Sequence, residues 1–489
     1  MTGRGGVRDT EARPYHPPVE AGRIASVDSI TQPQRSAYES FLGTKSVIPR
    51  PVGVSVDPDD IHASLFPFQR SITQWALLKG RSAIFADTGL GKTRMQLEWA
   101  RLIGQPTLIL APLAVARQTV AEASRLGIDV TYARSQDQSG RITVTNYEMV
   151  GHFDPAAFGA VVLDESSILK SFEGKIRGNL IRLFADTPYR LCCTATPAPN
   201  DISEIANHAD FLGLSTRVEM LATFFVHDDD GWRLKGHARD AFWMWMASWS
   251  MSIRKPSDLG FADEGYALPP LTIRPVILPT NYIPAGQLFA TSVKGVGDRA
   301  AVRRSTLADR VRATAAIVAA DPDHQWLLWC GLNDESAALT TAIPGAVEVK
   351  GADDPESKAD ALTAFADGHV RVLVSKPSIA GFGMNFQRCD RMAFVGLSDS
   401  YEQYYQAIRR SWRFGQRQEV IAYIVLTEPE ESIYENVLKK EREATTMSEE
   451  LVSRIARYEK AEIGKIGVHM NYAPTTEMIV PSWLSTEAS

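Results

Sequence analysis

Short apolar runs, each about the length of a buried strand, alternate with helix-patterned stretches twice along the chain. The first series runs from Leu65 to about Leu214 and contains SAIFAD, PTLILAP, ITVTN, AVVLDE and YRLCCTAT. A strand covered on both faces needs no polar alternation, so runs of this kind point to parallel strands flanked by helices. The second series begins near Pro270, with LTIRPVILPT, QWLLWCG, AVEVK, VRVLVSK, RMAFVG and VIAYIVL. The same unit is therefore built twice. The expected class is α/β, with two doubly wound parallel-sheet domains in tandem.

The 489 residues divide accordingly. Residues 1–55, rich in Gly, Pro, Ser and Arg, read as a partly disordered arm. The first domain is expected over 56–215, a helical linker or brace over 216–269, the second domain over 270–430 and a C-terminal helical extension over 431–489. The linker carries Trp243, Trp245 and Trp249 on a stretch that is apolar on nearly all sides. That pattern suits core packing better than an aromatic ligand box.

Composition narrows the partners little. A net charge of −6 gives no general attraction to nucleic acid but leaves room for a local basic groove. Cys192, Cys193, Cys330 and Cys389 form no CxxC pair and have no His at ligand spacing, so they read as core thiols. No apolar run reaches the roughly 18 residues of a membrane span, and the first twenty residues lack a signal-peptide core. A soluble, cytoplasmic protein with no membrane partner is expected.

Chemistry enters at ADTGLGKT, Ala86 to Thr93. An apolar strand runs into a glycine turn and then a helix, the arrangement that holds a nucleotide's phosphates. Gly89 and Gly91 let backbone amides approach the anion, Lys92 supplies charge, and Thr93 supplies a hydroxyl for Mg²⁺. Thr88 and Leu90 complete the loop; Ala86 stands where the strict P-loop pattern has its first glycine. In AVVLDESSILK a buried strand ends in Asp164 and Glu165, one carboxylate for the metal shell and one to polarise an attacking water. Thr194 and Thr196 close another strand in TATP. Farther on, helical spacing aligns Gln406, Arg410 and Arg413 on one face, fit to stabilise charge on a γ-phosphoryl group.

Taken in order, LFPFQRSITQWAL, DTGLGKT, LILAPLAVARQTVAE, VTNYEMV, LDESSILK, TATPAPNDISE, SKPSIAGFGMNFQ and QAIRRSWRFGQ resemble the motifs of superfamily 2 helicases and translocases, most closely the Swi/Snf-like branch. The resemblance spans about Leu65 to Val425 and implies two RecA-like domains with an ATP cleft between them. It implies that Gln69 reads adenine and that Lys92 and Thr93 bind phosphate and Mg²⁺. Asp164 would act through the metal's water shell and Glu165 on water, while Gln406, Arg410 and Arg413 reach across from the second domain. Gly381, Gly383 and Asn385 would link nucleotide state to nucleic-acid grip, Gly383 also lying on the nucleotide, with Thr194 and Thr196 coupling. Pro112, Thr145, Asn146 and Ser375 would meet a nucleic-acid backbone. Two positions depart from the branch: Ser167 stands where a His is common, and Arg409 where an Asp is usual. A compact bacterial or phage-type member is implied, in the host cytoplasm if phage-encoded.

The expected activity is ATP- and Mg²⁺-dependent movement on double-stranded DNA. A strand-separating DNA or RNA helicase is the nearest alternative. A nucleotide-gated scaffold subunit of a restriction, defence or replication assembly, with protein partners from that system, is an alternative of another class.

Overall fold

A computed structural model describes residues 49–170, 175–228, 231–280, 302–380 and 385–463. Nearly all of the expected N-terminal arm falls outside these residues, as do Gly381 and Gly383.

The first series forms a wholly parallel sheet of β1 (Arg81–Ala86), β2 (Thr107–Ala111), β3 (Thr131–Tyr132), β4 (Ile142–Asn146), β5 (Ala160–Asp164) and β6 (Tyr189–Thr194). A separate antiparallel hairpin of β7 (Phe225–Asp228) and β8 (Gly231–Leu234) follows. Next, β9 (Ser250–Ile253) returns to the sheet beside β1, giving the order β3-β4-β2-β5-β6-β1-β9. The segment after residue 215 thus holds a helix, Arg239–Trp249, but also a strand of the first sheet. Alternate residues of the strands serve opposite faces. Ala83 and Phe85 meet Trp245 and Trp249, while Ile84 and Ala86 meet Leu97 and Trp99. Trp243, Trp245 and Trp249 are therefore core residues, as are the four cysteines, all buried and free.

The second sheet, also parallel, contains β10 (Leu271–Leu278), β11 (Trp326–Cys330), β12 (Ala346–Val349), β13 (Val372–Ser375), β14 (Arg391–Val395) and β15 (Val420–Thr427), in the order β10-β15-β14-β11-β13-β12. Arg310 is fully buried and pairs with Glu335 at 2.7 Å.

The tail is one helix, Glu431–Ile463. Ile433 and Val437 pack into the core of the second lobe, and Met447 and Leu451 into that of the first. Arg254 reinforces the latter contact by pairing with Glu449 at 2.8 Å, and Arg239 by pairing with Glu450. No helix among the described residues is long and apolar enough to cross a membrane.

Strand register places the chemistry. Phe85 lies beside Thr194, Asp164 beside Cys193 and Ala111 beside Asn146. The loops after β1, β2, β4, β5 and β6 consequently emerge along one edge, the carboxyl ends of the strands, where doubly wound folds hold ligands.

Candidate functional site

The loop after β1 turns on two glycines with left-handed backbone, Gly89 at φ 92° and Gly91 at φ 84°. Gly91 is also required for space, since a Cβ there would lie 2.2 Å from Gln69 Nε2. Gln69, 2% exposed, ties this loop to the preceding helix, Pro67–Lys79. Its Nε2 donates to Leu90 O at 2.9 Å and its Oε1 accepts from Phe66 N–H at 3.0 Å. The helix Lys92–Leu102 begins directly after Gly91, so its free N–H groups and dipole face the loop. Lys92 Nζ donates to Ala86 O at 2.9 Å, and Thr93 is half-buried beside it. The Thr88 hydroxyl is buried without a protein partner, a polar atom that a ligand in the loop would satisfy.

Asp164 ends β5, 3% exposed. Gln96 Nε2 donates to its Oδ2 at 2.9 Å, the Glu165 N–H to its Oδ1 at 3.1 Å, and the Tyr147 hydroxyl to its main-chain O at 2.7 Å. Burial pushes the Asp164 carboxyl above its ordinary range, against the Gln96 hydrogen bond and the charge of Lys92. Glu165 has φ 54°, the sole positive value outside glycine among the described residues. For an L-residue that conformation costs roughly 1–2 kcal/mol and gathers at functional sites. Thr194 Oγ1 donates to Glu165 Oε2 at 3.4 Å, and Thr196 N–H donates to Thr194 Oγ1 at 3.2 Å. Burial raises the Glu165 carboxyl as well, opposed by the charges of Lys92 and, from the second lobe, Arg410.

Across the cleft stands the helix Tyr401–Ile408, extended by the turn that follows it. Arg410 Nη2 donates to Gln406 Oε1 at 2.7 Å, and Arg413 bonds to Asn385 Oδ1. Burial drives the Arg410 guanidinium down to about 10, and burial with the repulsion of Arg410 and Arg409 drives Arg413 down to about 9. Gln406 Nε2 and Arg413 Nε are buried without partners. Desolvated cations so poorly compensated mark a place for an anion. The second lobe also closes tightly on the loop, because a Cβ on Gly89 would come within 3.2 Å of Phe414 N. A cavity of about 630 Å³ adjoins, lined by Asp87, Thr88 and Gly89 on one side and by Tyr266, Trp412 and Phe414 on the other. Its size and mixed lining suit a nucleotide.

A magnesium–nucleoside triphosphate fits these residues. The loop amides, Lys92, Arg410 and Arg413 match the phosphates. Asp164, whose burial already disfavours its lone charge, and the Thr93 hydroxyl match a cation that keeps several waters. Among the described residues no cluster of three or more His, Cys, Asp or Glu offers an all-protein metal cage, which agrees with a metal that arrives with its phosphates.

The expected nucleic-acid residues stand at strand ends, and Thr145, Asn146 and Ser375 are buried there. Pro112 caps the helix Leu113–Arg125 and is half-buried. The Thr145 side chain is fully buried, and Ser375, also buried, donates from Oγ to Val349 O at 2.9 Å. Asn146 donates from Nδ2 to Glu148 Oε2 at 2.6 Å.

Residues 315–415, the centre of the second lobe, match the family described as helicase conserved C-terminal domain. That stretch is similar to the C-terminal domain of helicases. The span that carries the match includes Gln406, Arg410 and Arg413. Among solved structures, the chain is similar to the Sulfolobus solfataricus SWI2/SNF2 ATPase core in complex with dsDNA, at 18% identity and a TM-score of 0.41, over 84% of this chain and 98% of that one. No curated protein matches it.

Several residues in the site escaped sequence reasoning. Asp87 pairs with Arg409 and accepts a hydrogen bond from Tyr405, and Glu402 accepts from Ser167 and Lys170. The signal for two of them was present, since Ser167 and Arg409 are the departures from the branch pattern.

Proposed function

We propose that the protein is an ATP-driven motor of the Swi/Snf-like kind that moves along double-stranded DNA. The observation that carries this reading is that Arg410 and Arg413 of one lobe face the phosphate loop and the strained Glu165 of the other, Arg410 near enough for its charge to act on the Glu165 carboxyl. An interface of that form does chemistry only when the lobes are together, so each turnover requires the cleft to close and product release lets it open.

In this reading the loop amides and Lys92 bind the β- and γ-phosphates, while Asp164 and Thr93 hold Mg²⁺, which neutralises phosphate charge when bound. Glu165, raised by burial, accepts a proton from the attacking water. Arg410 and Arg413 stabilise the charge that builds on the transferring group, and Gln406 fixes Arg410 through its Oε1. Thr194, Thr196 and Asn385 carry the change of state outward, Thr194 through Glu165 and Asn385 through Arg413. Gln69 contacts the base from beside the loop. Pro112, Thr145, Asn146 and Ser375 mark the loop ends that meet the DNA backbone. Because the Thr145 and Ser375 hydroxyls are buried, main-chain N–H groups make the contact there, and such contacts position a strand without reading sequence.

The test is steady-state ATP hydrolysis without nucleic acid and with single-stranded DNA, duplex DNA or RNA, with Lys92→Ala as blank. Stimulation by duplex DNA is expected. Stimulation confined to single strands or RNA would replace the translocase with a helicase, and equal turnover in all four conditions would favour a nucleotide-gated scaffold.

A further inference from the structure

The helix Tyr401–Ile408 and its following turn present two neighbouring stripes to the first lobe. Gln406, Arg410 and Arg413 form one, at spacings of four and three. Glu402, Tyr405 and Arg409 form the other, at spacings of three and four, which also keeps them on one face. The second stripe makes direct contacts across the cleft. Glu402 accepts hydrogen bonds from the Ser167 hydroxyl and the Lys170 ammonium, just beyond Asp164 and Glu165. Arg409 pairs with Asp87 immediately before the glycine loop, and the Tyr405 hydroxyl donates to the same carboxylate.

These contacts are not loose surface charge. Glu402 is 8% exposed, Arg409 3% and Ser167 3%. The Arg409 guanidinium lies 4.7 Å from the Trp412 ring centroid and 5.5 Å from that of Tyr405, which fixes its plane. Arg409 is also unlike its neighbours on the turn. Its charge is met across the cleft by Asp87, whereas Arg410 bonds to Gln406 and Arg413 to Asn385, both within the second lobe. The two arms grip the two segments that frame the reaction, the loop before Lys92 and the turn after Glu165.

We propose that Glu402 and Arg409 form an interlobe clasp that sets Arg410 and Arg413 in register over the phosphate site. Both act as positioning residues, through Arg410 and Arg413; Arg409 also lines the adjoining cavity. The clasp takes the place of a histidine bridge at Ser167 and works through complementary charge. Asp87 and Arg409 form one such pair, Lys170 and Glu402 the other. Lys170 is 35% exposed at its side chain but Glu402 only 10%, so removing the lysine leaves a largely buried carboxylate unpaired, and single changes are more harmful than a matched exchange.

This inference rests on the motor reading, and the test separates the two. Lys170→Glu, Glu402→Lys and the double exchange are compared with the wild type for ATP turnover with saturating duplex DNA. Lobe separation without nucleotide is followed by energy transfer between dyes on Ser124→Cys and Thr341→Cys, both exposed, with the native thiols buried. Each single variant is expected to lose about tenfold in kcat with KM within about threefold, and to show a longer dye distance; the double exchange should recover most of both. Should a single variant fail to fold, Lys170→Met with Glu402→Gln keeps the volume without the charges and is expected to give the open distance. Wild-type turnover in the singles, no recovery in the exchange, or an unchanged distance throughout overturns the clasp. A wild type that hydrolyses ATP without DNA stimulation overturns the motor instead, while the distance measurement still reads the clasp.

Discussion

Replacing Arg413 with Gln should stabilise the empty protein and nearly abolish its turnover. The guanidinium is held down to about 9 in the folded chain by burial and by the neighbouring charges of Arg410 and Arg409. A displacement of that size from an ordinary guanidinium corresponds to roughly 5 kcal/mol of unfavourable energy in the charged form. Because the folded value lies below the unfolded one, this penalty is fully present below pH 9 and fades as the pH rises above it. Gln keeps much of the side-chain volume and removes the charge. It forfeits the hydrogen bond to Asn385, about 1 kcal/mol, and some packing of the longer stem. A net stabilisation of roughly 3 kcal/mol remains, enough to raise the melting temperature of a lobe by at least about 5 °C. Turnover should fall about 10³-fold or more, since roughly 4 kcal/mol of transition-state stabilisation is lost with an arginine of this kind. Thermal melting without nucleotide and single-turnover hydrolysis check the two halves. A structural arginine would lower both stability and rate, so a melting temperature that falls refutes the reasoning, as does turnover that survives.

Glu165→Gln should bind ATP as the wild type does but hydrolyse it about 10²–10⁴-fold more slowly, measured in rapid quench. Gly91→Ala combines a positive φ with a 2.2 Å approach to Gln69, and should cost at least about 2 kcal/mol in urea unfolding, while Gly104→Ala, at φ 72° but with no atom nearer than Leu102 O at 3.9 Å, costs less.

Much of this architecture is legible in the chain because buried parallel strands advertise themselves. Each apolar run of both series contains a strand of the sheets, from SAIFAD around β1 to VIAYIVL around β15. What escaped has a physical reason. β9 is only Ser250–Ile253 and follows a tryptophan-rich helix without a break, so its period merges with the helix pattern. The two residues of β3 are too few to show any period. In the site, Lys92, Asp164, Glu165, Arg410 and Arg413 could be found because their chemistry dictates residue type. The burial of Thr145 and Ser375 could not, because a hydroxyl at a strand end looks the same whether it faces solvent or core. Asp87 and Glu402 depend on which face of one lobe meets the other, and that is a property of segments 232 to 318 residues apart.

The helix Glu431–Ile463 carries a mechanical consequence. At 1.5 Å per residue it is about 50 Å long, and it is rooted in one lobe by Ile433 and Val437 and in the other by Met447 and Leu451. A continuous helix resists bending, so the lobes cannot part while both ends stay seated. Opening has to lift Met447 and Leu451 out of their pocket, at roughly 1.5–3 kcal/mol for each side chain exposed, or take the first lobe's contacts along. The helix then acts as a lever whose fulcrum is the second lobe, and a small rotation there becomes a larger sweep at the end near Ile463.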